Sequence, residues 1–161
     1  LPIYEKLIRA FAQFHREQPS AELVILGGGP LEQHLRSVAS ECGVDASVHM
    51  LGYRSNPYPY LRKSDCFVLS SNHEGQPMTL LEALVLDKAI VATDIVGNRS
   101  VLEGRPGMLV DNSIDGLLDG MRRFSKGEVP CGGFDWSEYQ RDALEMFYLK
   151  VLGDVAKGST L

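Results

Sequence analysis

Residues 64–93 read SDCFVLSSNHEGQPMTLLEALVLDKAIVAT. Cys66 to Leu69 is an unbroken apolar run, Met78 to Leu86 has helical spacing of its apolar residues, and Ala89 to Ala92 is a second apolar run. Two runs of strand length with a helix between them mark a β-α-β unit, because parallel strands cannot be joined by a hairpin and need a crossover. Continuous rather than alternating apolar residues fit strands covered on both faces. This stretch therefore predicts a parallel sheet with helices on either side.

The same pattern continues outward. Upstream, Ile3 to Gln18 is an amphipathic helix with Leu7, Ile8, Phe11 and Phe14 on one face. Glu22 to Leu26 is a strand that meets Gly27-Gly28-Gly29-Pro30, and Leu31 to Cys42 is a helix. Ser47 to Leu51 is a strand, and Pro57 to Lys63 a brief helix or turn. Downstream, Met108 to Val110 is a short strand and Ser113 to Phe124 a helix. Gly127 to Gly133 reads as a linker, and Asp135 to Leu152 as a final helix rich in aromatic residues. We expect a Rossmann-like α/β domain over residues 1–152, and a disordered tail over 153–161 because those residues are small and polar.

The 161 residues, 44% hydrophobic and 23% charged, suffice for one domain with a substantial core. The net charge of −5, with no basic cluster longer than Arg122-Arg123, argues against a nucleic-acid partner. No apolar stretch approaches the ~20 residues of a bilayer span. Cys42, Cys66 and Cys131 are scattered and fit neither a disulfide framework nor a metal motif, so a cytoplasmic, metal-free domain is expected.

Ligands of open parallel sheets bind beyond the carboxyl ends of the strands, which directs attention to three loops. The Gly27–Pro30 turn would let backbone amides approach a phosphate, although glycines there equally serve backbone geometry. Between Ser70 and Glu82, two carboxylates, Glu74 and Glu82, stand eight positions apart around a Gly-x-Pro segment at a helix start. Such a spacing suits a sugar diphosphate: Glu74 would accept hydrogen bonds from sugar hydroxyls, the amides of residues 76–79 would hold phosphate, and Glu82 would take two ribose hydroxyls. Thr79 to Glu82 equally matches a capping box, and Glu74 a solvated loop charge. Spacing alone does not separate these readings. The third loop, Thr93 to Arg99, follows a buried strand and mixes a carboxylate, a glycine and a polar pair; it reads more readily as a surface turn than as part of a site.

Glu74-Gly75-Gln76-Pro77-Met78-Thr79-Leu80-Leu81-Glu82-Ala83 resembles the EX7E segment of retaining GT-B glycosyltransferases of the glycosyl transferases group 1 family (family 4). LVILGGGP (23–30), VHMLGY (48–53), SDCFVLSS (64–71), AIVATDIVGN (89–98) and GMLV (107–110) resemble the family's further segments in the same order, over about residues 3–125. Phe134-Asp135-Trp136 with Tyr139 resembles its final helix. The resemblance implies the C-terminal domain, which binds a nucleotide-sugar donor. By position it implies Glu74 at the donor sugar, with a catalytic part, the backbone of Gly75, Gln76, Pro77, Met78 and Thr79 at sugar and diphosphate, and Glu82 at the ribose. Gly28 and Gly29 would lie by the diphosphate, and Tyr53 would offer its backbone to the base. His73 matches no family position. The resemblance implies no cofactor or metal.

Two departures stand out. Asp87 occupies a helix-end position where the family has Gly, a place that needs left-handed backbone. The family's opening strand, its Arg and Lys pair and its N-terminal acceptor domain have no counterpart in these residues, so the chain is expected to be inactive by itself, with any membrane association residing in the absent part. A nucleotide-sugar epimerase of the same fold, or a non-catalytic Rossmann or flavodoxin-like nucleotide-binding module, would share the strand pattern. The second fits poorly, since Gly27-Gly28-Gly29-Pro30-Leu31-Glu32 does not meet the GxGxxG pattern.

Overall fold

A computed structural model describes residues 2–75 and 77–142. In chain order its elements are α1 (Ile3–Glu17), β1 (Leu23–Ile25), α2 (Glu32–Glu41), β2 (Val48–Met50), α3 (Tyr58–Lys63), β3 (Cys66–Leu69), α4 (Met78–Val85), β4 (Ala89–Thr93), α5 (Val96–Leu102), β5 (Met108–Val110) and α6 (Ile114–Ser125). A helical segment follows over residues 136–142. The rest of the expected final helix, residues 143–152, and the expected tail, 153–161, lie outside the described residues.

Among the described residues the named strands all pair in parallel, as the β-α-β reading requires, and an isolated antiparallel bridge joins Gly27 and Gly52 just beyond β1 and β2. The ladder is divided, however, where one continuous sheet is expected. β1 pairs with β2, beginning Leu23 with Val48, and β3, β4 and β5 form a second ladder in that order. The two ladders point the same way. A β-carbon at Gly27, just past β1, would lie 3.9 Å from the Tyr4 hydroxyl, and Ser70 Oγ, just past β3, donates to the Ile3 carbonyl at 3.4 Å. Both carboxyl ends thus meet the start of α1. At the other end of α1, the His15 ring lies 3.1 Å from the Ala21 carbonyl and 3.3 Å from Ser47 Oγ, beside the starts of β1 and β2.

Helices cover both faces of the second ladder, and β4 shows how. Every residue of β4 is buried. Alternate side chains leave a strand on opposite faces. Accordingly Ala89 and Val91 join the cluster formed by Leu7, Ile8, Phe11 and Phe14 of α1 with Leu117, Leu118 and Met121 of α6. Ile90 and Ala92 join Leu80, Leu81 and Leu84 of α4 with Val101 and Leu102 of α5. Ile25 and Val48 of the first ladder enter the α1 cluster, so α1 bridges the two ladders. β3 is only half-buried along its length, and among the described residues no strand pairs with its second edge. Phe134 and Tyr139 pack against the α4 and α5 cluster, and the Arg105 guanidinium lies 5.0 Å above the Tyr139 ring. Trp136 is 42% exposed, so this aromatic group keeps an open side.

Asp87 ends α4 with φ +52°, alone in the left-handed region among described residues other than glycine. Its amide donates to Leu84 O and that of Lys88 to Ala83 O, both at 3.0 Å, the paired bonds of a Schellman motif. Gly43 and Gly127 occupy the equivalent position after α2 and α6. Asp87→Gly should therefore raise stability by about 0.5–1 kcal/mol, measured by chemical denaturation, because the left-handed conformation is strained for any residue with a β-carbon.

Candidate functional site

Glu74 stands in the loop after β3, and buried groups fix it from below. Ser71, 5% exposed, donates through Oγ to Glu74 Oε1 at 2.6 Å. The Ser71 carbonyl accepts from Thr93 Oγ1 at 2.6 Å, and the Thr93 carbonyl accepts from Asn98 Nδ2 at 2.8 Å. Thr93 and Asn98 are both fully buried. A chain of polar contacts thus runs from α5 through the end of β4 to the acidic loop. A second restraint is steric: a β-carbon at Gly97 would come within 2.3 Å of the Glu74 carbonyl oxygen, so only glycine lets α5 lie against this backbone. Thr93 to Arg99 is therefore no surface turn. It opens α5 and buries Gly97 and Asn98 under Glu74.

On the other side Lys6 of α1, 5% exposed, donates to Asn72 Oδ1 at 2.9 Å and to Asn112 Oδ1, tying the loops after β3 and β5 together. Burial pulls its pKa below the usual lysine value. Nothing in the sequence pattern singles out Lys6, although it flanks the apolar stripe four residues before buried Ala10.

Glu82 lies one turn into α4. That helix begins at Met78 with Pro77 at its N-cap and without a side-chain cap. Thr79 is already inside the helix, so the capping box does not form. Instead Glu82 Oε1 accepts from the Tyr58 hydroxyl of α3 at 3.0 Å, and this bond raises the Tyr58 pKa. Nor is Glu74 a free loop charge, being half-buried and bonded to Ser71. The two carboxylates are alike: each has Oε1 engaged by a hydroxyl, while Oε2 has no hydrogen-bond partner among the described residues.

The backbone between them divides by chemistry. Met78 and Thr79 are exposed, and their amides, in the first turn of α4, lack intrahelical acceptors. Pro77 is buried and has no N–H, so it shapes the turn without donating, contrary to an even row of amides over 76–79. Gly75 is open, with no atom within 4 Å of its β-carbon position. Gln76 lies outside the described residues. Gly28 and Gly29 are exposed, and Gly27 N donates to Gly52 O at 2.9 Å, which joins the loops after β1 and β2. A β-carbon at Gly28 would lie 3.8 Å from the Tyr53 amide, and Tyr53 itself is 82% exposed. Gly28, Tyr53, Glu74 and Glu82 thus share the carboxyl edge, although no hydrogen bond among the described residues joins the first two to the last two. His73 is an exposed loop residue. Among the described residues no His, Cys, Asp or Glu cluster could hold a metal ion, and no helix is long and apolar enough to cross a membrane.

A parallel α/β domain with this fold is found in GT-B glycosyltransferases, among them the C-terminal domain of the group 1 family protein LpcC from Francisella tularensis. That domain superposes with a TM-score of 0.67 at 23% identity, over 76% of this chain and 68% of the other. The chain belongs to the glycosyl transferases group 1 family, whose model matches residues 4–141. It is 37% identical over 110 residues to the uncharacterized glycosyltransferase MJ1059 of Methanocaldococcus jannaschii, covering 68% of this chain and 27% of that protein. It is 31% identical over 153 residues to the N-acetylgalactosamine-N,N'-diacetylbacillosaminyl-diphospho-undecaprenol 4-alpha-N-acetylgalactosaminyltransferase of Campylobacter jejuni, covering 86% of this chain and 41% of that protein. The chain therefore spans well under half the length of these relatives.

Proposed function

We propose that this chain is the donor-binding, C-terminal half of a retaining glycosyltransferase that moves a hexosyl unit from a nucleoside diphosphate sugar to an acceptor in cell-surface glycan synthesis. The observation that carries the reading is the carboxylate pair itself: Glu74 and Glu82, each held at one oxygen by a hydroxyl and at the other without a hydrogen-bond partner among the described residues, on either side of the first-turn amides of α4. Glu74 accepts hydrogen bonds from the donor sugar hydroxyls as charge develops at the sugar, and Glu82 takes the ribose hydroxyls. The backbone of Gly75 to Thr79 meets sugar and diphosphate, with Gly28 and Gly29 facing the diphosphate and the Tyr53 backbone the base. Amides and the helix dipole stabilise the diphosphate leaving group in a fixed arrangement that needs no metal. The glycan reading is supported by the name of the Campylobacter relative.

The donor half of this reading also requires a strand and an acceptor domain ahead of α1. By the family resemblance that strand runs parallel to those of the two ladders. A basic pair at its carboxyl end would complete the diphosphate site.

Glu82→Gln tests the reading. Calorimetric titration should show nucleoside diphosphate binding weakened by about 1–3 kcal/mol, the cost of losing a charge-assisted hydrogen bond, with the melting temperature unchanged. Unchanged affinity with a lowered melting temperature would mean that Glu82 serves the fold and holds no ribose.

A further inference from the structure

We infer that Tyr58 is a positioning residue for the nucleoside end of the donor, holding one oxygen of Glu82 so that the other faces the ribose. This role rests on Glu82 meeting the ribose, as proposed above, and adds a residue from a separate element that neither the motif nor the resemblance includes. Tyr58 opens α3, beyond β2, while Glu82 is on α4, and the hydroxyl crosses between the two helices to donate to Oε1 at 3.0 Å.

The donor is held on a stiff base. Pro57 and Pro59 flank Tyr58 and restrict its backbone, and the Tyr58 amide donates to Asn56 Oδ1 at 3.2 Å, closing the turn that starts α3. A glutamate has three side-chain torsions and, unrestrained, would spread its carboxylate over several rotamers. The bond from a rigid phenol selects one of them. It does not use up the acceptor, because Oε1 keeps a second lone pair and Oε2 has no partner among the described residues, which leaves sites for both ribose hydroxyls. Tyr58 is 48% exposed and Glu82 half-buried, so the bonded pair lies at the surface. The hydrogen bond to Glu82 in turn raises the phenol's pKa.

The test is calorimetric titration of the intact protein with the nucleoside diphosphate it binds tightest among those of uridine, guanosine and adenosine, and with the 2',3'-dideoxy form of the same nucleotide. The wild type should prefer the ribose form. Tyr58→Phe should weaken the ribose form by about fivefold to tenfold, the effect of one hydrogen bond to a carboxylate, and leave the dideoxy form unchanged. Added to Glu82→Ala, which removes the acceptor altogether, it should have no further effect. A Tyr58→Phe protein that binds the ribose form as well as or better than the wild type would overturn the inference, as would one weakened equally toward both forms, since that pattern belongs to a ring contacting the base. A wild type that binds neither form, or does not distinguish them, would instead overturn the placement of the ribose at Glu82, and the role of Tyr58 with it.

Discussion

Glu74→Gln should lower kcat/KM for sugar transfer in the intact enzyme by about 10²–10³-fold, the usual consequence of removing one preorganised polar group from a developing charge. The fold should not change with it. Glutamine keeps an oxygen that can accept from Ser71 Oγ in place of Glu74 Oε1, and nothing else among the described hydrogen bonds depends on the carboxylate. What is lost is the negative charge at the open oxygen, which faces the donor sugar in the proposed reading. Full activity in Glu74→Gln would remove Glu74 from the reaction.

Gly97→Ala should be nearly as damaging, for a different reason. Its β-carbon would fall 2.3 Å from the Glu74 carbonyl oxygen, 2.8 Å from the carbonyl carbon and 3.0 Å from the Glu74 β-carbon. Two of these are backbone atoms, so no rotamer change relieves the overlap, and either α5 or the acidic loop has to move. Overpacking of this kind costs about 1–3 kcal/mol of stability, read by chemical denaturation. A displacement near 1 Å at a reacting group costs about 10²-fold in rate. Nucleotide binding at Glu82 should fall less, because the overlapping atoms belong to Glu74 and not to α4. Equal loss of binding and turnover would show that the whole edge had collapsed.

The parts of the fold that depend on local pattern were legible in the sequence. β4 and its neighbours announce themselves as apolar runs because both faces of β4 are buried, and α1 because its stripe meets one core. Pairing is not local, so nothing in the residues of β1 and β3 says that they belong to separate ladders. α5 was misread as a turn because it is short, carries Gly97 within its first turn, and buries the polar Asn98 where a core residue is expected to be apolar. At the site, Glu74 and Glu82 stood out by spacing and kinship. The groups that hold them did not: Ser71, Thr93 and Asn98 act through contacts with distant parts of the chain, and Lys6 is a buried ammonium on a helix whose other charges read as solvent-facing.

The most direct measurement is a diffraction map of the intact protein with a nucleoside diphosphate bound. The diphosphate should lie about 3 Å from the amides of Met78 and Thr79, with the ribose hydroxyls on Glu82 and the Glu74 carboxylate facing the space beyond the terminal phosphate. Nucleotide density at the amino ends of the strands, or at the carboxyl edge but away from both carboxylates, would contradict the account.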